Sequence, residues 1–132
     1  MSDENVAVVR GIYESFGRGD VPAVLAALSP DVEWVESPQG FLPHGGTHHG
    51  PAEVAEKVFG SMFATFDEFA VVPGGFYDAG DVVVVEGRAV GRTKHGARLD
   101  APACWVWTVR DGVVTANHNY HDTDAWRLAL AG

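Results

Sequence analysis

ACWVWTVRDGVVTANHNYHD, residues 103–122, decides the fold, because two β-rich runs flank the Asp-Gly pair at 111–112. Such a pair is the strongest short-range hairpin signal, since both residues tolerate the positive φ of a type I′ turn. If Arg110 pairs with Val113 across this turn, the register of the whole ribbon follows. The stretch therefore predicts the last hairpin of an antiparallel sheet.

One face of this predicted hairpin is apolar along most of its length and polar at its end. Directly opposed residues share a face of a sheet, and this register sets Trp105 opposite His118 and Trp107 opposite Ala116. An apolar face that ends in His, Tyr and Asp is suited to line a pocket. The residues predicted on it are Trp105, Trp107, Val109, Val114, Ala116, His118, Tyr120 and Asp122.

The composition predicts a single domain over residues 1–132 and excludes several classes of partner. Nine Lys and Arg stand against 18 Asp and Glu, a formal net charge of −9, which argues against binding of nucleic acid or of anionic membranes through general electrostatics. The one cysteine excludes an internal disulfide. The first ten residues carry acids where a signal peptide carries bases, and no apolar run reaches membrane-spanning length, so we expect a cytoplasmic protein.

Two helices and an early strand come first in the chain. The strand covers residues 31–36 and alternates in polarity, so that Val32, Trp34 and Glu36 share one face. A carboxylate thus ends a second apolar row. Later strands are predicted at roughly 69–77, 82–92, 97–110 and 113–121, with a short helix at about 123–130.

A third helix follows a loop rich in Gly and Pro at residues 37–50. The Gly-Pro pair at 50–51 starts it, because proline suits the first helical position. Helices on one face of a strongly curved antiparallel sheet make an α+β fold, here with a cone-shaped apolar cavity. The stripe predicted to face that cavity is Val54, Val58, Phe59, Met62, Phe63 and Phe66.

Three motifs in the right order carry a resemblance to a known family. They are VRGIYESFGRGDVPAVLAALSPDVEW at 9–34, GPAE at 50–53, and VWTVRDGVV at 106–114 followed by Tyr120, Asp122 and Thr123. The chain resembles the nuclear-transport-factor-2-like superfamily, and within it the SnoaL-like and ketosteroid-isomerase-related proteins. The resemblance covers essentially the whole chain and implies a cystatin-like α+β barrel. The same fold hosts isomerases, cyclases, dehydratases and proteins without catalysis.

The resemblance implies catalytic positions one by one. Glu36 falls where the steroid isomerases carry their general-base carboxylate, and Asp122 matches an aspartate of the SnoaL-like cyclases. The isomerases' oxyanion acid is replaced by Trp105, and Tyr13 lies one residue from the position of their oxyanion tyrosine. Ala89 stands where the cyclases carry their histidine. The base position is therefore kept, and both oxyanion donors are lost or displaced.

A catalytic set of Glu36, His118 and Asp122 is the resulting hypothesis. Glu36 would take a proton beside a carbonyl, and a protonated His118 or Tyr120 would stabilise the oxyanion. Asp122 would orient His118 or serve as the second acid/base. The alternatives are a surface acid at a strand end for Glu36, a core residue for His118 and a helix cap for Asp122. The predicted substrate contacts are Tyr13, Trp34, His49, Phe59, Phe63, Trp105, Trp107 and Tyr120.

The loop histidines His44, His48 and His49 raise the question of a metal. No Cys or acid cluster accompanies them in the sequence, so a flexible lid is predicted, with His49 nearest the cavity by resemblance. We therefore expect neither a metal nor another cofactor.

The function predicted is a small cofactor-independent enzyme of isomerase, cyclase or dehydratase type. Its substrate would be an apolar oxygenated molecule, such as a polyketide-like or ring carbonyl compound. The alternatives are a non-catalytic module that binds a small hydrophobic ligand and a dimerisation module. A homodimer is expected in any case, through an uncharged outer sheet face that carries Val106, Thr108, Thr115, Asn117 and Asn119.

Overall fold

The computed structural model describes residues 2–37 and 42–131, and confirms an α+β fold. One curved six-stranded sheet wraps around the helices. Residues 38–41 of the predicted loop lie outside the described residues, and the rest of that loop contains a short strand that the sequence did not predict. The elements in chain order are α1 (Ser2–Gly17), α2 (Val21–Ala26), β1 (Leu28–Ser37), β2 (Gly46–His49), α3 (Gly50–Glu53), a π-helical stretch (Val54–Phe59), α4 (Gly60–Thr65), β3 (Phe66–Ala79), β4 (Val82–Thr93), β5 (Arg98–Arg110), β6 (Val113–His121) and α5 (Thr123–Ala131).

The strand order in the sheet is β2-β1-β6-β5-β4-β3. Strands β3 to β6 form the predicted antiparallel meander, whereas β1 and β6 are parallel. Parallel neighbours need a long connection, and here that connection is most of the chain. The sheet is therefore mixed, and β1 lies directly beside the last strand.

The final hairpin turns where the sequence predicts. Asp111 and Gly112 have φ values of 52° and 77°, and Arg110 pairs with Val113. The next pair along the ribbon is Val109 with Val114, also as predicted.

Beyond that pair the predicted register is wrong, because Thr115 forms a β-bulge. Thr108 pairs with Ala116, and Trp107 then lies opposite Asn117 rather than Ala116. A one-residue shift exchanges the two faces of a strand. Every later residue of β6 therefore lies on the opposite face from the predicted one.

This exchange reassigns the polar residues of β6. Asn117 and Asn119 are buried on the inner face, at 0% and 2% exposure, although the sequence analysis placed both on the outer face. His118 and Tyr120 lie on the outer face, and Tyr120 is 50% exposed. The outer sheet face predicted for dimerisation thus loses two of its five residues.

The third helix begins at Gly50 as predicted, and its predicted apolar stripe is buried except at one position. Phe63 is 57% exposed, whereas the other five residues are buried: Val54, Val58, Phe59, Met62 and Phe66. A π-helical turn bonds i to i+5 and so shifts the phase of the residues after it. The stretch at Val54–Phe59 accordingly turns Phe63 away from the core, which corrects its prediction as a substrate contact.

Two apolar clusters fill the space between helices and sheet. The larger one includes Tyr13, Trp34, Trp105 and Trp107, and the smaller one surrounds Trp126 of α5. Aromatic rings meet edge to face in the larger cluster, as in Trp34 against Trp107 with ring centres 5.7 Å apart. Among the described residues, no helix is both long enough and apolar enough to cross a membrane.

Candidate functional site

A buried carboxylate is the centre of the polar part of the interior. Glu36 of β1 is 5% exposed. Its Oε2 accepts hydrogen bonds from Trp34 Nε1 at 2.6 Å and from Asn119 Nδ2 at 2.9 Å. Its Oε1 lies 3.0 Å from His121 Nε2. A carboxylate only accepts hydrogen bonds, so His121 Nε2 is the donor.

The alternation of two neighbouring strands brings these groups together. Trp34 and Glu36 are two residues apart on β1, and Asn119 and His121 are two residues apart on β6, so each pair shares a face. In the parallel register, Glu36 lies beside Asn119. The bulge at Thr115 is what turns Asn119 and His121 inward.

A second histidine approaches the same carboxylate from the segment before β2. His44 is 2% exposed, and its Nε2 lies 3.6 Å from Glu36 Oε1, beyond hydrogen-bond distance. His48 Nε2 lies 3.0 Å from the His44 backbone oxygen, and the His44 ring packs against Trp126 with centres 5.2 Å apart. Burial lowers the pKa of His44 despite the nearby Glu36 carboxylate, so its ring is neutral at neutral pH.

These three residues could hold a metal ion. One ligand atom each from Glu36, His44 and His121 lie within 4.8 Å of one another, and two imidazoles with a carboxylate suit several divalent metals. No Cys or acid cluster accompanies the loop histidines in the sequence, but the fold brings the single acid Glu36 beside His44. Nδ1 of both rings, however, has no hydrogen-bond partner among the described residues, whereas metal-bound histidines almost always donate that second nitrogen to an acceptor.

Asn117 supports Asn119 from the same strand. Its Oδ1 lies 2.6 Å from Asn119 Nδ2, which also lies 3.2 Å from the Val35 carbonyl oxygen. Asn119 is thus held by several acceptors besides Glu36. A side chain so restrained keeps its donor aimed at the carboxylate.

Tyr13 of α1 supplies a neutral hydroxyl to the interior. Trp107 Nε1 donates to the Tyr13 hydroxyl oxygen at 3.0 Å. Burial raises the pKa of Tyr13, so the phenol keeps its proton at all ordinary pH values.

A small cavity joins the polar cluster to the aromatic cluster. Its volume is about 50 Å³, and Glu36, His44, Asn119 and His121 form its polar wall. Space of this size holds a few water molecules, while ring ligands occupy sites of roughly 300–1,000 Å³. A ring compound can therefore enter only if side chains of the wall move apart.

Six residues predicted from the sequence meet at this cavity, and five do not. Those that line it are Tyr13, Trp34, Glu36, Phe59, Trp105 and Trp107. Those that do not are His49, Phe63, His118, Tyr120 and Asp122.

The displaced residues have other surroundings. His118 Nε2 lies 3.0 Å from Glu33 Oε1 on the outer face, where the two side chains are 39% and 47% exposed. Asp122 is exposed and caps α5, its Oδ1 accepting from the Ala125 backbone N–H at 3.3 Å. His49 is exposed as well, and His44 rather than His49 reaches the cavity. The predicted inner-face position of His118 is thus wrong because of the bulge.

Three residues of the polar cluster were not predicted from the sequence. Asn119 and His121 carry the right alternation, but the predicted register placed them outside. His44 lies in a loop without periodicity, and nothing in the sequence separates it from its neighbouring histidines.

The fold and the site together define a class of protein, in which a curved sheet and its helices enclose a small cavity with one polar end. The model of the SnoaL-like domain matches residues 9–117, and the chain belongs to this family. No curated protein matches the sequence.

Several solved structures share the fold along almost the entire chain. An NTF2-like protein of unknown function from Burkholderia pseudomallei is 31% identical, with a TM-score of 0.90 and 98% of each chain covered. TerC, co-crystallised with polyporic acid, is 28% identical, with a TM-score of 0.88 over 98% of this chain and 99% of its own. A Xanthomonas campestris protein proposed to be a polyketide cyclase is 25% identical, with a TM-score of 0.79 and 98% of each chain covered.

Proposed function

We propose that this protein is a small enzyme that moves a proton on an apolar oxygenated ring compound, as an isomerase, cyclase or dehydratase does. The observation that carries the proposal is the hydrogen-bonded pair of Glu36 and His121, 3.0 Å apart at the polar end of an aromatic-lined cavity. A polyketide cyclase assignment for one structural relative, and polyporic acid in the crystals of another, support a ligand of this kind.

The contacts of Glu36 favour a division of roles that differs from the sequence-based hypothesis. Both of its oxygens already accept hydrogen bonds, from Trp34 and Asn119 on one side and from His121 on the other. When Nε2–H of a neutral His121 ring donates its hydrogen bond to Glu36, the lone pair on Nδ1 stays free. In this proposal His121 takes the substrate proton, and Glu36 positions the ring and stabilises the imidazolium that forms.

The neutral hydroxyl of Tyr13 completes the proposed reaction centre. It can donate a hydrogen bond to an oxygen that gains negative charge, which is the stabilisation that such reactions need most. Tyr13 lines the same cavity as His121.

The test uses 5-nitrobenzisoxazole, a flat neutral ring whose opening begins when a base removes one C–H proton. The N–O bond then breaks and a coloured phenolate is released. We expect the wild-type protein to accelerate this reaction, with a rate that saturates as the substrate concentration rises. Glu36→Gln and His121→Asn should each lower the rate at least about a hundredfold, the usual scale of general-base catalysis.

The chain offers a matched control in its second Glu–His pair. Glu33 and His118 have the same 3.0 Å separation but are half exposed on the outer face, so Glu33→Gln and His118→Asn should leave the rate unchanged. If the wild-type protein is no faster than its Glu36→Gln variant, the proposal is wrong. Binding of polyporic acid without any such rate would instead favour the ligand-binding module.

A further inference from the structure

We infer that the cavity selects neutral ring compounds that carry a hydroxyl group, a phenol or an enol, and that His44 Nδ1 accepts the hydroxyl hydrogen. The hydroxyl preference would define the substrate class of the proposed function. The inference rests on that function only because it places the ligand in the same cavity. Three features of the polar wall carry the inference.

The first feature is the orientation of the His44 ring. Its Nε2 is the nitrogen near the Glu36 carboxylate, 3.6 Å from Oε1. A lone pair there would face a negatively charged oxygen, so the favoured tautomer carries its proton on Nε2. The lone pair of the neutral ring is then on Nδ1, which is a hydrogen-bond acceptor.

The second feature is that this acceptor is buried without a partner. His44 Nδ1 is sealed from solvent and has no hydrogen bond among the described residues. Buried polar atoms in proteins are nearly always paired, and the rare exceptions call for an explanation. His48 restrains the His44 backbone at its carbonyl oxygen, and the His44 ring packs against Trp126 at an interplanar angle of 53°. A hydroxyl donor from a ligand would satisfy the atom without moving the ring.

The third feature is the charge of the wall. Among its described residues, no Lys or Arg lines the cavity, and Glu36 is the one residue of fixed charge there. A ligand carboxylate would therefore be buried beside Glu36 without a cation to pair with, which is strongly unfavourable. The site thus disfavours a ligand carboxylate and favours a neutral hydroxyl group at this wall.

A matched series of three ligands tests this: 4-ethylphenol, 4-ethylanisole and 4-ethylbenzoate. All four tryptophans of the chain line the cavity, so their fluorescence reports occupancy. We expect the phenol to bind roughly three- to tenfold more tightly than the anisole, the value of one net hydrogen bond. The benzoate should bind at least about tenfold more weakly than the phenol.

Variants of His44 distinguish a hydrogen bond to His44 Nδ1 from nonspecific hydrophobic binding. His44→Phe keeps a ring of similar shape and should bring the phenol and anisole affinities within a factor of about two; His44→Asn serves if the Phe variant does not fold. His118→Phe on the outer face should leave the preference unchanged. Equal binding of phenol and anisole by the wild-type protein, tighter binding of the benzoate, a preference that survives in His44→Phe, or no binding of any of the three would each overturn the inference.

These outcomes are independent of the proposed function. Base-catalysed opening of 5-nitrobenzisoxazole without a hydroxyl preference would leave the enzyme proposal standing and remove this inference. A hydroxyl preference that depends on His44, without such a rate, would do the reverse.

Discussion

Replacing Asn119 with Asp tests whether Glu36 is held as a buried carboxylate. The two side chains have the same shape, so Asn119→Asp changes the hydrogen bonding and the charge without changing the packing. The N–H donor 2.9 Å from Glu36 Oε2 becomes a second carboxyl oxygen at the same place. Two carboxylates so close share one proton rather than both ionise.

The magnitude follows from comparing two costs. Two full charges 2.9 Å apart repel by about 6 kcal/mol at an effective dielectric constant of about 20. Keeping one carboxyl protonated at pH 7, about three units above its ordinary pKa, costs about 4 kcal/mol. Protonation is cheaper, so the variant should lose about 4 kcal/mol of stability at pH 7.

The stability penalty of Asn119→Asp should increase with pH. The shared proton raises the pKa of the pair in the folded state, so the part of the penalty that comes from charge is absent below the ordinary carboxyl pKa and grows as pH rises above about 4. Its slope should be about 1.4 kcal/mol per pH unit.

Urea denaturation of variant and wild type, compared at each pH from 4 to 7, measures this penalty. Asn5→Asp is the matched control, because Asn5 donates to the Gly80 carbonyl oxygen at an exposed site, and it should change stability by well under 1 kcal/mol. A penalty for Asn119→Asp that does not vary with pH would refute a charged Glu36 at this place.

Four further predictions concern other parts of the molecule. Burial lowers the pKa of His44, so the unfolded chain takes up its proton first as pH falls below about 6.5, and stability falls with it. In urea denaturation, His44→Phe should reduce that slope by up to about 1.4 kcal/mol per pH unit, because the two proteins differ at this one ionisable group. Trp107→Ala should cost about 3–5 kcal/mol in the same assay, as large aromatic truncations in cores do, and a loss under 1 kcal/mol would contradict its place in the core. Elemental analysis of purified protein should find well under one zinc per chain, because neither ring of the cluster has an acceptor at Nδ1 within residues 2–37 and 42–131; stoichiometric zinc would make the cluster a metal site. Sedimentation at micromolar concentration should show a homodimer through the uncharged part of the outer sheet face, and a monomer alone would exclude it.

Local signals in the sequence predicted the elements that local chemistry determines. The Asp-Gly turn, the inward face of Trp34 and Glu36, and the helix start at Gly50 all depend on residues within a few positions of one another. The phase of Phe63 and the short strand Gly46–His49 could not be predicted in this way. The orientation of Phe63 depends on a π-helical turn, and the strand Gly46–His49 depends on pairing with β1. Neither feature can be recognised from the local sequence pattern.

The register of the last strand is the most consequential error, because it exchanged the histidine that lies beside Glu36. Val113, Val114 and Thr115 are all β-branched, so no residue among them signals the extra position of a bulge. With or without the bulge, a histidine of β6 lies near an acid of β1. Local propensity therefore cannot choose between His118 and His121 as the buried partner.

The hydrogen-bonding needs of Glu36 could have made that choice. A carboxylate at 5% exposure has two oxygens to satisfy, and leaving a buried charge unpaired costs several kcal/mol. The register without the bulge would send the amides of Asn117 and Asn119 to the outer face. Inside, β6 would then offer one imidazole N–H, from His118, and one hydroxyl, from Tyr120. The observed register supplies Asn119 and His121 to Glu36 and leaves His118 to pair with Glu33 in partial contact with water. Placing Glu36 inside, as the alternation of β1 already required, thus implies the face that β6 must present.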